Sequence, residues 1–145
     1  MATRTIILGL DGSECSDAAR AWTLEHAPLL DAQVVAVYVI DPMLLAPNYA
    51  AVAGSWTFDE QLQTQMQEAI NAWSQPLADQ GLLARAAVVH GPPAAALSDL
   101  AVQEGASLVV VGRRGSGGFA ELLLGSVPHA LAHHCRVPVV IVPID

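Results

Sequence analysis

Leu108-Val109-Val110-Val111-Gly112-Arg113-Arg114-Gly115-Ser116-Gly117-Gly118 joins a short aliphatic run directly to a glycine-rich loop. An aliphatic run without polar alternation fits a strand buried on both faces, as in a parallel sheet covered by helices. Glycines after such a strand let the chain turn and bring backbone N–H groups close to an anion. The pair therefore reads as the carboxyl end of a parallel strand, which is where open α/β sheets bind ligands.

Outward from this stretch the same alternation repeats. Thr5-Ile6-Ile7-Leu8-Gly9-Leu10 reads as a first strand. A helix is expected from Ser13 or Glu14 to Leu30, with Ala18, Ala19, Trp22 and Leu29 at near-helical spacing. Gln33-Val34-Val35-Ala36-Val37-Tyr38-Val39-Ile40 is a second strand, apolar on both faces. A connection over residues 42–56 carries two prolines, one glycine and no charge. Leu62, Met66, Ala69, Ile70, Trp73 and Leu77 then mark an amphipathic helix ending before Gly81. Arg85-Ala86-Ala87-Val88-Val89-His90 is the third and least hydrophobic strand, and Pro92-Pro93 opens a short helix. After the glycine loop, Leu122, Leu123, Val127 and Leu131 predict a helix. Val137-Pro138-Val139-Val140-Ile141-Val142 is the fifth strand. Strands alternating with helices mean one α/β domain, a parallel sheet with helices on both faces. No linker or internal repeat divides residues 1–145.

Composition narrows the function. The 145 residues are 53% hydrophobic and 14% charged, which excludes a disordered chain. The net charge of −8 argues against a nucleic-acid partner, whose phosphates need a basic surface. All six basic residues are Arg, so a P-loop and Schiff-base chemistry are excluded for want of a lysine. Cys15 and Cys135 form no CxxC pair and no disulfide framework. With neither a signal-peptide pattern nor an apolar run near ~20 residues, a cytoplasmic protein without a membrane partner is expected.

Between Glu104 and Glu121 the only charged residues are Arg113 and Arg114, a positive island on an acidic chain. With the glycines and the following helix N-terminus, the loop reads as a phosphate cradle. Its bland alternative is a solvated turn with two surface arginines. Gly115-Ser116-Gly117-Gly118-Phe119-Ala120 fits a loose G-x-G-x-x-A. The acid that a dinucleotide site needs about 20 residues on is absent, except for Asp145 at the terminus.

The spacing Gly112-x2-Gly115-x9-Gly125-Ser126 resembles the nucleotide-binding signature of the universal stress protein family. Asp11-Gly12-Ser13 after strand one, Val39-Ile40-Asp41 ending strand two and the closing aliphatic strand are similar to that family as well. The resemblance covers essentially the whole chain. It implies a Rossmann-like sheet of order 3-2-1-4-5, of the adenine nucleotide alpha hydrolase-like kind, and a bound adenine nucleotide, ATP or AMP; Asp11 is, on its own chemistry, a candidate contact for an accompanying Mg²⁺. It further implies that Asp11, with Leu10 before it, lies by the ribose and phosphates. By the same resemblance, Val39 reads the adenine through its backbone. Gly112 and Gly115 approach ribose and phosphates, and Gly125, Ser126 and Val127 contact the phosphate chain. Members usually form homodimers through the last strand, here the apolar edge from Val137 to Val142. Arg113, Arg114, Ser116 and Gly117 fill variable slots, and Arg114 is a candidate phosphate contact on electrostatic grounds alone.

Other readings stand beside these. Asp11 is either a ligand or metal contact or a cap for the first helix, although Ser13 caps equally well. Asp41, before Pro42, suits an ordinary turn. His129, His133, His134 and Cys135 crowd one helix end, with the i, i+4 spacing zinc ligands use. No carboxylate or second cysteine is near them in sequence, and histidines there suit the helix dipole. Ser126 is not in a G-x-S-x-G elbow, because Leu124-Gly125-Ser126-Val127-Pro128 reads as the interior of a helix. No convincing base is present, so a binding protein rather than an enzyme is expected, slow ATP hydrolysis being compatible with it. The alternatives are a dimeric interaction module without a working nucleotide site, and a cyclic AMP binder.

Overall fold

The computed structural model describes residues 3–42, 56–114 and 124–144. Among these, five strands form one parallel sheet in the order β3-β2-β1-β4-β5. In chain order the elements are β1 (Arg4–Gly9), α1 (Glu14–His26), β2 (Ala32–Ile40), α2 (Trp56–Asp79), β3 (Leu83–His90), α3 (Pro93–Gln103), β4 (Leu108–Gly112), α4 (Ser126–His134) and β5 (Val139–Val142). The order 3-2-1-4-5 and the covered parallel sheet are as the sequence and its resemblance imply.

Alternate side chains of each central strand enter opposite cores. Ile6, Leu8, Val34, Ala36 and Val110 pack with Ala19 of α1 and Ile70 and Leu77 of α2. Ile7, Val35, Val37, Val109 and Val111 pack with Leu97, Leu100 and Ala101 of α3 and Leu131 of α4. Ile6, Ile7 and Leu8 are wholly buried, each contributing about 1.5–3 kcal/mol of transfer free energy. β3 lies at an edge and is only partly covered, which explains its weaker hydrophobicity. Its Arg85 pairs with Glu104 after α3.

Several boundaries differ from the sequence reading; β3, for one, starts at Leu83 rather than Arg85. α1 ends at His26 rather than Leu30. Residues 27–30 form turns, since Pro28 has no N–H to continue the helix. β5 pairs from Val139 rather than Val137, and Pro138 enters the sheet only as an acceptor, from Val109 N–H at 2.9 Å. The last helix starts at Ser126, so Leu124-Gly125-Ser126-Val127-Pro128 is a helix entry and not a helix interior. Leu122 and Leu123 lie outside the described residues.

Candidate functional site

The carboxyl ends of β1, β2 and β4 bring Leu10, Asp11, Val39, Gly112 and Arg114 to one edge of the sheet. At the end of β1, Ser13 caps α1, its Oγ accepting from Ser16 N–H at 3.1 Å. Asp11 Oδ1 accepts from Ser13 N–H at 2.9 Å and from the Ser13 hydroxyl at 2.5 Å. Ser13 thus does the capping, as expected, and its other contacts fix the Asp11 carboxylate at the mouth of the crevice. Leu10 is buried behind it.

Gly12 adopts φ +81°, and a Cβ there would come within 2.7 Å of Trp73 Cζ2. Trp73 of α2 therefore covers the Asp11 loop directly. Its ring meets Tyr38 of β2 edge-on, with centroids 5.8 Å apart. Burial, and after it the negative charge of Asp11, push the Tyr38 phenol above its ordinary pKa. The Trp73 carbonyl accepts from Arg20 Nη1 at 2.9 Å. Pro76, inside α2, has no N–H for the carbonyl of Ala72, one turn earlier. Spacing marks Trp73 as an apolar-face residue of α2 but points neither it nor Tyr38 to this site, because their meeting depends on how α2 crosses β2.

β2 runs beyond β1. Their register ends at Gly9 opposite Val37, closed by a 2.9 Å bond from Leu10 N–H to the Val37 carbonyl. The Ile40 carbonyl accepts from Gly91 N–H on the β3 side, at 3.0 Å. In a parallel ladder successive residues present their N–H and C=O alternately to the two neighbours. Val39 thus turns both groups towards β1, past the point where β1 has ended.

At the end of β4, Gly112 has no room for a side chain. A Cβ would lie 2.5 Å from the carbonyl carbon and oxygen of Cys15. The first turn of α1 thus sits directly on β4. Arg113 N–H bonds the Val142 carbonyl at 3.0 Å, and the Arg113 carbonyl accepts from Gly125 N–H at 2.8 Å. That second bond ties the start of α4 to the end of β4. Gly125 is the N-cap of α4 without a side-chain cap, and Pro128 sits in the first turn. The N–H groups of Ser126 and Val127 thus form an uncapped helix N-terminus, the element that favours anions. Arg113 Nε is buried without a hydrogen-bond partner among the described residues. The signal for this geometry was Pro128, since proline is tolerated near a helix start and not deep within one. Gly115, Ser116 and Gly117 lie outside the described residues.

His129 and His133 are one turn apart on α4, with ring centroids 4.7 Å apart. No group of three or more His, Cys, Asp or Glu among the described residues is placed to hold a metal. No described helix is long and apolar enough to cross a membrane.

The universal stress protein family matches residues 2–143. The chain belongs to that family. It is 30% identical over 141 residues to universal stress protein MJ0531 of Methanocaldococcus jannaschii, covering 96% of this chain and 81% of that one. It is also 30% identical to universal stress protein Rv1996 of Mycobacterium tuberculosis, covering 95% of this chain and spanning 47% of the length of that protein. Among solved structures, hypothetical protein MJ0577 shares the fold with a TM-score of 0.84 at 21% identity, over 100% of this chain and 99% of that one. A universal stress protein in complex with cAMP gives 0.68 at 27% identity, over 100% of both chains. A universal stress protein from Archaeoglobus fulgidus in complex with dAMP gives 0.69 at 17% identity, over 97% and 98%. Structural neighbours of this universal stress protein thus bind adenine nucleotides.

Proposed function

We propose that this universal stress protein binds ATP or AMP in the crevice beyond β1, β2 and β4 and acts as a cytoplasmic stress-response or regulatory sensor. One observation carries the reading. An uncapped α4 N-terminus, tied to the end of β4 through Arg113, lies at the same sheet edge as Asp11 and the Val39 backbone, which has no β1 partner among the described residues. The backbone N–H and C=O of Val39 suit the edge of a purine, which offers both an acceptor and a donor. Ser126 and Val127 N–H, with Gly125 allowing close approach, suit phosphate oxygens. Arg113 and Arg114 add positive charge where an acidic protein otherwise repels an anion. Asp11 is placed for the ribose or for Mg²⁺, which would neutralise phosphate charge.

The same donor set argues for binding rather than turnover. Phosphoryl transfer needs a residue that positions the nucleophile as well as metal ligands. Asp11 is the one carboxylate the reading assigns to the crevice, and Ser13 already engages its Oδ1. Slow hydrolysis of bound ATP is the upper limit of the expected chemistry. A homodimer through β5 is part of the proposal, because pairing this short apolar edge removes exposed N–H and C=O groups.

A second reading, cyclic AMP as the ligand, is favoured by the neighbour solved with cAMP. The deciding experiment is calorimetric titration of nucleotide-stripped protein with ATP and Mg²⁺, with AMP and cyclic AMP as competitors. Micromolar ATP affinity, weakened by Ser126→Asp, supports the proposal, and preferential cyclic AMP binding supports the second reading. Absence of heat and competition on folded protein overturns both and leaves an interaction module.

A further inference from the structure

The two helical layers differ in charge. α1 carries Glu14, Asp17, Arg20 and Glu25, and α2 carries Asp59, Glu60, Glu68 and Asp79. In α3 and α4 together, the one Asp, Glu, Lys or Arg is Asp99. A helix packed on a sheet ordinarily turns a polar, charged face to water. α3 instead exposes Ala95, Asp99, Val102 and Gln103. Val102 is 51% exposed, which among the described large aliphatic residues only Leu29 exceeds. Beside it runs a groove of about 690 Å³ between α3 and the end of α4. Asp99 and Val102 line its α3 wall, and His134 and Arg136 its α4 wall. Asp99 and Arg136 are both exposed, and neither makes an ion pair among the described residues.

We propose that this groove is a self-association surface that receives α3 of a second copy of the chain. The two copies meet about a two-fold axis, with Asp99 of each facing Arg136 of the other. In a two-fold contact residue i meets residue j and j meets i, so a face must be complementary to itself. One acid on one wall and one base on the other satisfy that condition. The occupant follows from charge. At −8, copies of the chain repel one another over most of their surface, and α1 and α2 carry seven acids against one base. The α3–α4 layer is where that repulsion is least. A strongly acidic or strongly basic partner would find no matching potential there. Val102 supplies the apolar anchor at the centre, and its burial opposite a small-residue face needs no rearrangement. The surface is separate from the β5 edge and does not depend on the nucleotide reading. It would join β5-paired dimers into larger assemblies.

α3 is 11 residues long, about 16 Å at the helical rise. The contact is therefore at the small end of specific interfaces, and association is concentration-dependent in the micromolar range. Sedimentation velocity of the full chain from low to high micromolar tests it. Val102→Glu and Asp99→Arg should each weaken one association step by about ten-fold or more, as loss of an anchor or reversal of a close charge does. The double variant Asp99→Arg/Arg136→Asp should restore it. All these positions are exposed, and circular dichroism reports whether each variant folds. Should Val102→Glu fail to fold, the charge pair and its swap carry the test. A parent protein that stays monomeric throughout overturns the proposal. So does an association that none of these substitutions changes, which would assign it to another surface such as β5.

Discussion

Gly112→Ala is the substitution whose outcome the structure constrains most tightly. The added methyl would lie 2.5 Å from the backbone carbon and oxygen of Cys15 and 2.7 Å from its Cβ. Non-bonded carbon atoms settle near ~3.5 Å, so the first turn of α1 and the end of β4 must part by about 1 Å. Neither can yield cheaply. Cys15 is buried, and Val111, next to Gly112, is packed in the opposite core. Overpacking a core costs about 1–3 kcal/mol, and a clash with main chain rather than a side-chain tip belongs at the upper end. For a chain of this size about 3 kcal/mol lowers Tm by about 6–12 °C. Thermal melts of ligand-free protein, followed by circular dichroism, measure it. A Tm within about 2 °C of the parent would refute the packing argument. The result also bears on function. A glycine demanded by the protein's own helix loses stability on substitution with no ligand present, so weaker nucleotide binding by Gly112→Ala would not locate the phosphates.

Ser13→Ala removes the cap of α1 and the hydroxyl donor to Asp11 while keeping the backbone N–H donor, so a loss of about 1 kcal/mol is expected. Urea denaturation checks it, and no change in midpoint would show the cap to be replaceable. The Tyr38 phenol, raised by burial and then by Asp11, favours the folded state most strongly while both states keep the proton. That stabilisation is complete below the unfolded tyrosine pKa of about 10 and is lost as pH rises through the higher folded value. Tyr38→Phe should flatten the alkaline decline in stability, and Asp11→Asn should lower the Tyr38 pKa in an ultraviolet titration referenced to Tyr38→Phe. An unchanged titration in Asp11→Asn would remove the carboxylate from the account.

Much of the fold was legible because buried parallel strands announce themselves. Ile6, Ile7 and Leu8, or Val109, Val110 and Val111, have no polar face to misread. Strand order is not legible in periodicity, which says nothing about neighbours, and follows only from the family resemblance. The start of α4 is hidden from spacing because Leu122, Leu123, Val127 and Leu131 keep helical spacing across a boundary, whereas Pro128 marks that boundary. The geometry of the candidate site was legible where it depends on local sequence, as in Asp11-Gly12-Ser13 and Gly125-Ser126. It was not legible where it depends on packing. Trp73 reaches Gly12, and Cys15 reaches Gly112, only after helices have crossed the sheet. A glycine signature looks the same whether a ligand or a helix fills the space above it.

The overhang of β2 past β1 has a consequence for how such a pocket drifts over evolutionary time. The groups that Val39 turns towards the crevice belong to the main chain, which nineteen of the twenty amino acids supply with the same donor and acceptor. The side chain at that position is free to answer to the core on the other side, and Val39 packs there against the α3–α4 layer. Alanine at this position would register only the lost packing and would leave both main-chain groups in place. Proline alone removes the donor, so lineages are expected to vary residue 39 widely among apolar types and to avoid that one substitution.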